Sequence, residues 1–411
     1  MSLTTYPTGL AFAEARECLC ALGSARRLGV ERVTLDAAFG RCLATPIHAP
    51  HDVPPFANSA MDGYALRDAD LPATGERGFR LVGRRVAGDT RPLVIGPGEC
   101  AGITTGAVLP QGTDSVVIKE NVRLDGQTVF VRAGEPAGAN VRPAGEDYRA
   151  GEPAFAAGMR LTPARVGVLA SFGLTEIEVS RQPRVAVLTT GDELVPPGQM
   201  LQPGQIHDSN RYGLAGLLRR HGVARLAQIR VTDDPQALEA SLLAASRTHD
   251  LIVTSGGVSA GEADFLPSVV ERLGHLHFWK VRMRPGMPVL AGEIGAALLV
   301  GLPGNPVSSL TVFLTLVRPL LDAMQGATEM PPRQYARLAV PIHKTHRRAE
   351  FQRGRLESRP DGSRWTTPFP RQGSGILRSM AEADCLIVLD EAVERLAADS
   401  VVEVLPFAGT D

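Results

Sequence analysis

Carboxylates follow two apolar runs in the middle of the chain. Glu193 lies in TTGDEL, directly after VAVL, and Asp233 and Asp234 follow RVT and precede a proline. A carboxylate at the end of a strand is costly to desolvate unless it binds a metal ion or caps a helix. Both interpretations remain open for these three residues. If they bind a metal, the sequence leaves open whether Asp233 or Asp234 does so.

Two glycine-rich segments, TSGGVSAGEAD and GLPGNPVSS, have the composition of anion-binding loops. Glycine lets a phosphate approach the main chain, and N–H groups at a helix start attract negative charge. Pro at the first position of a helix fixes the backbone there. A plain tight turn or a helix cap is the alternative for each segment. The candidate residues are Ser255, Gly256, Gly257, Ser259, Asp264, Pro303, Pro306 and Ser308.

Basic residues in two further segments could neutralise an anion. Lys280 and Arg284 lie four apart in WKVRMRPG, so regular strand alternation puts both side chains on one face. Two cations on one face would offset phosphate charge, although a solvated strand face is the alternative. Arg353 in FQRG and Ser374 in RQGSG could complete an oxyanion site, because guanidinium donates a rigid fork of hydrogen bonds.

Strands and helices must bring these segments together. Between residues 184 and 324, apolar strand-like runs alternate with helical patterns, which predicts a mostly parallel sheet covered by helices. Ligands of such sheets bind at the carboxyl ends of the strands, where these loops lie. Residues 79–133 and the chain after Pro331 contain short β-like runs, and residues 10–28 have helical periodicity. The chain is therefore predicted to be an α/β and β multidomain protein.

Bulk composition excludes several classes of protein. Lys plus Arg is 43 and Asp plus Glu is 44, so net charge gives no reason to expect nucleic acid or an anionic membrane as a partner. The five cysteines are odd in number and form no CxxC pair, which favours free thiols in a reducing cytoplasm. The sequence starts without a signal-peptide pattern, and we expect no apolar run that approaches the roughly 20 residues needed to span a bilayer.

Taken together and in order, eleven motifs make the chain resemble the MoeA family of molybdopterin molybdenumtransferases, which includes gephyrin and the plant E-domains. The resemblance covers essentially the whole chain. The motifs are SAMDGYA, ITTGA, AGED, TTGDEL, IHDSN, TDDP, TSGGVSAGEADF, FWKVRMRPG, GLPGNPVSS, FQRG and RQGS. The resemblance implies four domains: an elongated linker domain (1–50 plus 143–180), a β-rich domain (51–142), a three-layer α/β molybdopterin-binding domain (181–328) and a small C-terminal β-barrel (329–411).

The resemblance also implies a reaction: molybdate is inserted into adenylylated molybdopterin with Mg2+-dependent release of AMP. It implies a homodimer with the cleft between subunits, and transient contact with molybdopterin-supplying enzymes and cofactor-accepting molybdoenzymes. Asp62, Thr105 and Asp147 would complete the neighbouring subunit's cleft. Glu193, Asp233 or Asp234, and Asp264 would form the metal-associated acidic group. Lys280 and Arg284 would contact phosphate or molybdate, and Arg353 and Ser374 would form the molybdate end.

Two departures from the family pattern stand out. Many relatives have Lys-Pro-Gly-Lys-Pro where this chain has Arg284 and Met287, and the family's Asp before FQRG is Glu350. Arg keeps the charge but changes its geometry, whereas Met removes a donor. Two other functions remain as alternatives. The chain could adenylylate molybdopterin, although the enzymes that do so are single short α/β domains, or it could be a non-catalytic cofactor-binding scaffold.

Overall fold

The computed structural model describes residues 6–258 and 265–407. The described chain forms two compact units: one contains Pro46–Ala156 and Ala164–Thr175, and the other contains the remainder. The four-domain division expected from sequence stays a prediction.

Three parts of the chain hold the regular elements. The first contains β1 (Thr8–Ala11), α1 (Phe12–Ala25), β2 (Val30–Thr34), β3 (Ile47–His48), β4 (Asn58–Ser59), β5 (Gly63–Leu66), β6 (Glu76–Arg85), β7 (Glu99–Ile103), β8 (Ser115–Ile118), β9 (Val122–Asp125), β10 (Thr128–Arg132), β11 (Val141–Arg142), β12 (Pro153–Phe155), α2 (Pro163–Ser171) and β13 (Glu176–Ser180), with short 3-10 turns at Leu35–Ala37, Asp68–Asp70 and Lys119–Asn121. The second contains β14 (Arg184–Thr190), β15 (Leu194–Val195), β16 (Ile206–His207), α3 (Asn210–Arg220), β17 (Arg225–Val231), α4 (Pro235–Ser246), β18 (Leu251–Ser255), α5 (Leu266–Leu273), β19 (His275–Arg284), β20 (Leu290–Ile294), β21 (Ala297–Leu302), α6 (Pro306–Val312), a π-helical turn (Phe313–Val317) and α7 (Arg318–Met324). The third contains β22 (Gln334–Leu338), β23 (Ile342–His343), β24 (Ala349–Ser358), β25 (Arg364–Pro368), α8 (Arg378–Ala381), β26 (Cys385–Leu389), β27 (Arg395–Leu396) and β28 (Val401–Pro406).

The α/β part is a three-layer sandwich, as its alternating pattern predicts. β17, β14, β18 and β21 are parallel neighbours, and β20 and β19 extend the sheet with antiparallel pairing. Alternate residues of β14 face opposite layers because side chains alternate along a strand. Val185 and Val187 join the core formed with α1, α3, α6 and α7, whereas Ala186 and Leu188 join the core formed with α4 and α5.

The C-terminal part is a small closed β-barrel. β24, β25, β22, β28 and β26 pair in that order, and β26 pairs again with β24. Its interior is apolar and includes Leu338, Ile387 and Val404. β24 also pairs in parallel with the end of β19, at Met283–Ala349 and Arg284–Glu350. The barrel therefore continues the α/β sheet, and FQRG on β24 lies next to the strand that carries Arg284.

The other unit is built on a six-stranded sheet in the order β8-β5-β7-β6-β10-β9. Buried residues lie on both of its faces, with Phe79 and Val129 in one cluster and Ala65 and Val116 in another. The expectation of a β-rich region in residues 79–133 is confirmed.

One helical stretch, Pro306–Met324, is 19 residues long and apolar enough to cross a membrane by length and composition. The expectation that no run approaches this length was wrong. The stretch is mostly buried, and Phe313, Leu316 and Leu320 belong to the main core. It is therefore the central core helix of the α/β part. As the cysteine count predicts, Cys18, Cys20, Cys42, Cys100 and Cys385 are all free thiols.

Candidate functional site

Three strand ends of the α/β sheet converge in the structure. A Cβ built on Gly256, after β18, would lie 2.8 Å from the carbonyl oxygen of Thr190, at the end of β14. Gly256 has φ +98°, and its N–H donates to the carbonyl of Leu302 on β21 at 3.1 Å. Only glycine fits this backbone and this approach without strain. The glycine-rich segments identified from sequence thus form one strand-end site, which we define by Thr190, Ser255, Gly256 and Gly304.

Hydroxyl groups tie the same loops together below the surface. The Ser255 hydroxyl is 3.3 Å from that of Ser309, and it donates to the carbonyl of Pro303 at 3.4 Å. Ser309 also donates to Pro303. Pro303 and Pro306 flank the turn before α6, and Ser308 lies buried in its first turn. The loop before α6 is therefore fixed by the strand-end residues, as its proline content predicts.

The acidic residues divide by role. Asp234 caps α4, because its side chain accepts from the N–H of Ala237 at 2.7 Å. Asp233 bonds instead to the neighbouring loop: its carboxylate accepts from the N–H of Asp192 at 3.3 Å, and its own N–H donates to the Asp192 carboxylate at 3.2 Å. This pairing draws the loops after β14 and β17 together. It also favours Asp233 over Asp234 as a candidate ligand.

Glu193 folds back over Gly191. A Cβ built on Gly191, which has φ +144°, would lie 2.5 Å from the Glu193 carboxylate. Glu193 and Asp233 are both exposed, on loops that Asp192 links. Mg2+ keeps several waters and is held by one or two carboxylates plus substrate phosphates, so these residues fit it. No group of three or more His, Cys, Asp or Glu that could hold a metal occurs within residues 6–258 and 265–407. Asp264 and Ser259, also predicted for the site, lie outside the described residues.

Lys280 and Arg284 lie on the strand that leads from the α/β sheet to the barrel. From Lys280 onward burial alternates: Val281 and Met283 are buried, whereas Arg282 and Arg284 are exposed. This is the alternation on which the one-face prediction rests. Lys280 itself has φ +67°, and its ammonium lies 4.2 Å from the Trp279 ring centroid. The regular strand conformation is therefore interrupted at Lys280.

Arg284 lies beside a buried acid. Its Nε is 3.8 Å from the carboxylate of Glu350, which the imidazole of His346 approaches at 3.5 Å on the other oxygen. Met287 is partly exposed, and Arg348 contacts its sulfur at 3.9 Å. Where the family pattern has a second lysine, this chain therefore has a thioether with an arginine next to it.

Arg353 is buried and orders the loop that carries Ser374. Its Nε donates to the Ser379 hydroxyl at 3.1 Å, and a terminal nitrogen donates to the carbonyl of Gly373 at 3.2 Å. Burial lowers the pKa of Arg353 to about 10, while the nearby Glu350 opposes that shift. The Ser374 carbonyl accepts from the N–H of Val307 at 3.1 Å. The predicted RQGS loop is thus attached to the start of α6.

Asp62 and Thr105 are joined by hydrogen bonds in the β-rich unit. The N–H and hydroxyl of Thr105 donate to one carboxylate oxygen of Asp62 at 2.8 and 2.9 Å. These hydrogen bonds lower the pKa of Asp62, with a smaller contribution from Lys119 at 4.0 Å. Asp147 lies in the same unit with an exposed side chain, and its N–H donates to the carbonyl of Val53 at 2.9 Å.

Two residues of the IHDSN segment have roles that sequence reasoning left open. Asp208 is buried and accepts from the Thr189 hydroxyl at 2.7 Å and from the N–H of Arg211 at 3.1 Å, so it is a structural cap. Asn210 donates to the Ser255 hydroxyl and to the Gly304 carbonyl. Only the position of the segment before a helix hinted at these contacts.

Comparison with known proteins covers almost the whole chain. Family models described as the MoeA N-terminal region (domain I and II), a probable molybdopterin binding domain and the MoeA C-terminal region (domain IV) match residues 10–173, 186–323 and 335–407. Molybdopterin molybdenumtransferase of Haemophilus influenzae is 37% identical over 381 residues, 92% of this chain and 94% of that protein. The Synechococcus elongatus protein of the same name is 37% identical over 408 residues, 96% of this chain and 99% of its own. A crystal structure of the molybdopterin biosynthesis moeA protein from Pyrococcus horikoshii superimposes with a TM-score of 0.84 at 25% identity, covering 97% of this chain and 100% of that one.

Proposed function

This chain belongs to the MoeA family of molybdopterin molybdenumtransferases, which act in molybdenum cofactor biosynthesis, and from that premise we propose the form of its substrates and the residues that bind them. The pterin substrate is adenylylated molybdopterin, the metal substrate is molybdate, and the products are molybdenum cofactor and AMP. The convergence of the loops after β14, β18 and β21 at Gly256 is the observation that carries this proposal.

The strand-end site binds the phosphate end of the pterin substrate. Its glycines carry no Cβ, so a phosphate group can approach the main chain closely, and the start of α6 adds the positive end of a helix. Ser255, Gly256 and Gly257 contribute from the β18 loop, while Ser259, Pro303, Pro306 and Ser308 complete the cradle. Lys280 and Arg284 offset the charge of the phosphate groups. Because the described turns after β18 and β21 are fixed before the substrate binds, little reorganisation is needed there as charge shifts during phosphate cleavage.

Glu193, Asp233 and Asp264 hold Mg2+, with Asp234 serving mainly as the α4 cap. When bound, the ion neutralises charge on the phosphate oxygens of the leaving AMP. Asp192 positions Asp233 through the two hydrogen bonds described above, and Gly191 leaves the space into which Glu193 folds. The carboxylates of Glu193 and Asp233 are therefore held on neighbouring loops before any metal ion binds.

Molybdate, a tetrahedral dianion, binds at the end of the site formed by Arg353, Ser374 and Arg284. The attachment of Ser374 to Val307 supports this assignment, because it brings the barrel loop to the start of α6. Glu350 and His346 lie behind Arg284 and limit where its guanidinium can point. Arg353 acts chiefly by ordering the loop, since two of its nitrogens already donate within the barrel.

The enzyme works as a cytoplasmic homodimer in which Asp62, Thr105 and Asp147 complete the partner's cleft. It receives its substrate from enzymes that make molybdopterin and delivers its product to molybdoenzymes. This arrangement rests on the family resemblance. The hydrogen-bonded Asp62–Thr105 pair supports the arrangement, because two donors hold this exposed carboxylate in one orientation before a ligand binds.

Incubation of the purified protein with adenylylated molybdopterin, molybdate and Mg2+ tests the proposal. We expect AMP release that depends on molybdate and stops when Mg2+ is chelated, together with cofactor that reactivates a molybdenum-free apoenzyme. AMP at background level would contradict the proposal. Adenylylation of molybdopterin from ATP by this chain alone would favour the adenylyltransferase alternative.

A further inference from the structure

Asn210, the first residue of α3, connects two loops of the strand-end site. Its Nδ2 donates to the Ser255 hydroxyl at 2.8 Å and to the Gly304 carbonyl at 2.6 Å. Ser255 ends β18, and Gly304 belongs to the turn between β21 and α6. One side-chain amide on a third element therefore connects the two loops of the strand-end site.

The orientation of the Asn210 amide follows from its partners. A carbonyl can only accept a hydrogen bond, so the nitrogen must face Gly304, and Oδ1 must face the other way. Oδ1 is buried and has no hydrogen-bond partner among the residues that the structure describes. A buried acceptor without a donor is costly, and the two donor contacts must offset that cost. The Asn210 side chain therefore makes both donor contacts with the loops, although its own acceptor Oδ1 has no partner among the described residues.

Direct hydrogen bonds between the two loops, among the described residues, reach Leu302 and Pro303: the Gly256 N–H donates to Leu302, and the Ser255 hydroxyl donates to Pro303. A Cβ built on Gly304, the next residue, would lie 3.8 Å from the Cα of Gly256. Gly304 has no side chain with which to pack, and it is exposed. Asn210 holds Gly304 through the Gly304 carbonyl. A shift of this carbonyl would widen the strand-end site on the side of α6.

We propose that Asn210 is a positioning residue that presets the gap between the Gly256 turn and the Gly304 turn for the phosphate-bearing substrate. This inference rests on the proposed function, because it assigns the gap to adenylylated molybdopterin. A residue that fixes the gap before binding spares the substrate the cost of ordering the loops. Its loss should therefore weaken binding of the pterin substrate and leave the molybdate end, held by Arg353 and the barrel, almost unchanged.

A simpler role would be to anchor α3 to the sheet. Asp208 already accepts from the N–H of Arg211, and the Arg211 side chain donates to Gln228 on β17 at 2.8 Å. Replacing the Arg211 side chain removes an anchor of the same helix without touching either loop. Arg211→Ala is therefore the matched control for a purely structural effect.

Two measurements on the full chain test the proposal. In steady-state assays, Asn210→Ala should raise the KM for adenylylated molybdopterin roughly tenfold, the effect of losing about 1.4 kcal/mol of binding. The half-saturating molybdate concentration should change less than about twofold, and so should both constants in Arg211→Ala.

Asn210→Asp, of the same shape but facing the Gly304 carbonyl with a carboxylate oxygen, should behave like Asn210→Ala. Combining Asn210→Ala with Ser255→Ala should cost less than the product of the single effects, because the two side chains share a hydrogen bond.

Amide hydrogen exchange supplies a readout that needs no activity. Exchange at Gly256, Gly304 and Asn305 should rise in Asn210→Ala and stay as in the unsubstituted chain in Arg211→Ala. If the unsubstituted chain releases no AMP, the proposed function fails, and the exchange data still decide the positioning role. Unchanged exchange in Asn210→Ala would overturn the inference. So would an equal rise in the KM for adenylylated molybdopterin and in the half-saturating molybdate concentration, if Arg211→Ala caused the same rises.

Discussion

Asp62 shows how hydrogen bonding can fix the charge of an exposed carboxylate. Both donors of Thr105 point at the same oxygen, and these bonds lower the pKa of Asp62. The carboxylate is therefore ionised across the neutral range and stays so below the pH at which an ordinary aspartate protonates. A group with a lowered folded pKa stabilises the fold above its unfolded pKa, and this contribution is lost as pH falls through the folded value.

Thr105→Val tests this assignment at the residue scale. The change removes the hydroxyl donor and leaves the N–H, so we expect the pKa of Asp62 to rise towards its usual range. Its stabilising contribution would then be lost at a higher pH during acid titration. Carbon-13 NMR titration of the Asp62 carboxyl gives the measurement. Thr113→Val is the control, because the Thr113 hydroxyl donates to the Pro110 carbonyl instead. An unchanged pKa of Asp62 in Thr105→Val would mean that the Thr105 N–H alone lowers the pKa.

Individual site residues were predictable from sequence to different degrees. TSGGVS and GLPGNP carry their own signal, because glycine and proline restrict the backbone wherever they occur. The roles of Asp233 and Asp234 could not be separated, since either can cap a helix, and only the contacts to Asp192 and Ala237 distinguish them. Asn210 was missed as a connector because its partners, Ser255 and Gly304, lie far along the chain.

At the scale of elements, the β18 turn depends on a close approach between strand ends. We expect Gly256→Ala to lower the free energy of unfolding by roughly 1–3 kcal/mol more than a positive φ alone would. The reason is the 2.8 Å separation between the added Cβ and the oxygens of Thr190. Chemical denaturation of the full chain measures the difference.

Gly198→Ala is the matched control for this prediction. Gly198 has φ +92°, close to the φ of +98° at Gly256, and nothing lies within 4 Å of a Cβ built there. Both variants carry the strain of an L-residue at positive φ, about 1–2 kcal/mol. Equal losses in the two variants would show that the strand ends can separate without cost.

Most elements of the α/β part followed from periodicity, whereas irregular strands did not. β14, β18 and β21 are short apolar runs with turn residues after them, and the structure has them where the pattern predicts. The left-handed residue Lys280 was not predictable, because it follows from pairing: its N–H donates to Val289 and that of Val281 to Met287. β25, with the sequence RWTTP, was missed because its polar residues and proline resemble a loop until the barrel pairs it with β24.

The whole molecule joins elements that are far apart in sequence. Ala15 and Leu19 of α1 enter the core of the α/β part with Leu320 and Leu321 of α7, about three hundred residues later in the chain. Periodicity predicts that α1 has an apolar face, but it does not predict which surface of the protein packs against that face. The same limit applies to the cleft, because the resemblance alone assigns Asp62 to the site of a neighbouring subunit.

Mixing two inactive variants tests that assignment. Asp62→Asn and Glu193→Gln should each abolish most activity, for they remove acids on opposite sides of the proposed cleft. If Asp62 serves the partner's site, a mixed dimer has one site with both defects and one intact site. Random exchange of subunits makes half of the dimers mixed, so activity should recover to about a quarter of that of the unsubstituted protein.

The pairing of variants decides how this recovery is interpreted. Asp62→Asn mixed with Thr105→Ala should recover nothing, because both changes damage the same side of every site. If each chain instead supplied its own Asp62, a dimer of Asp62→Asn and Glu193→Gln chains would have no intact site and would stay inactive. Recovery in the first mixture and its absence in the second therefore distinguish a shared site from a self-contained one, and co-purification of two differently tagged chains confirms that subunits have exchanged.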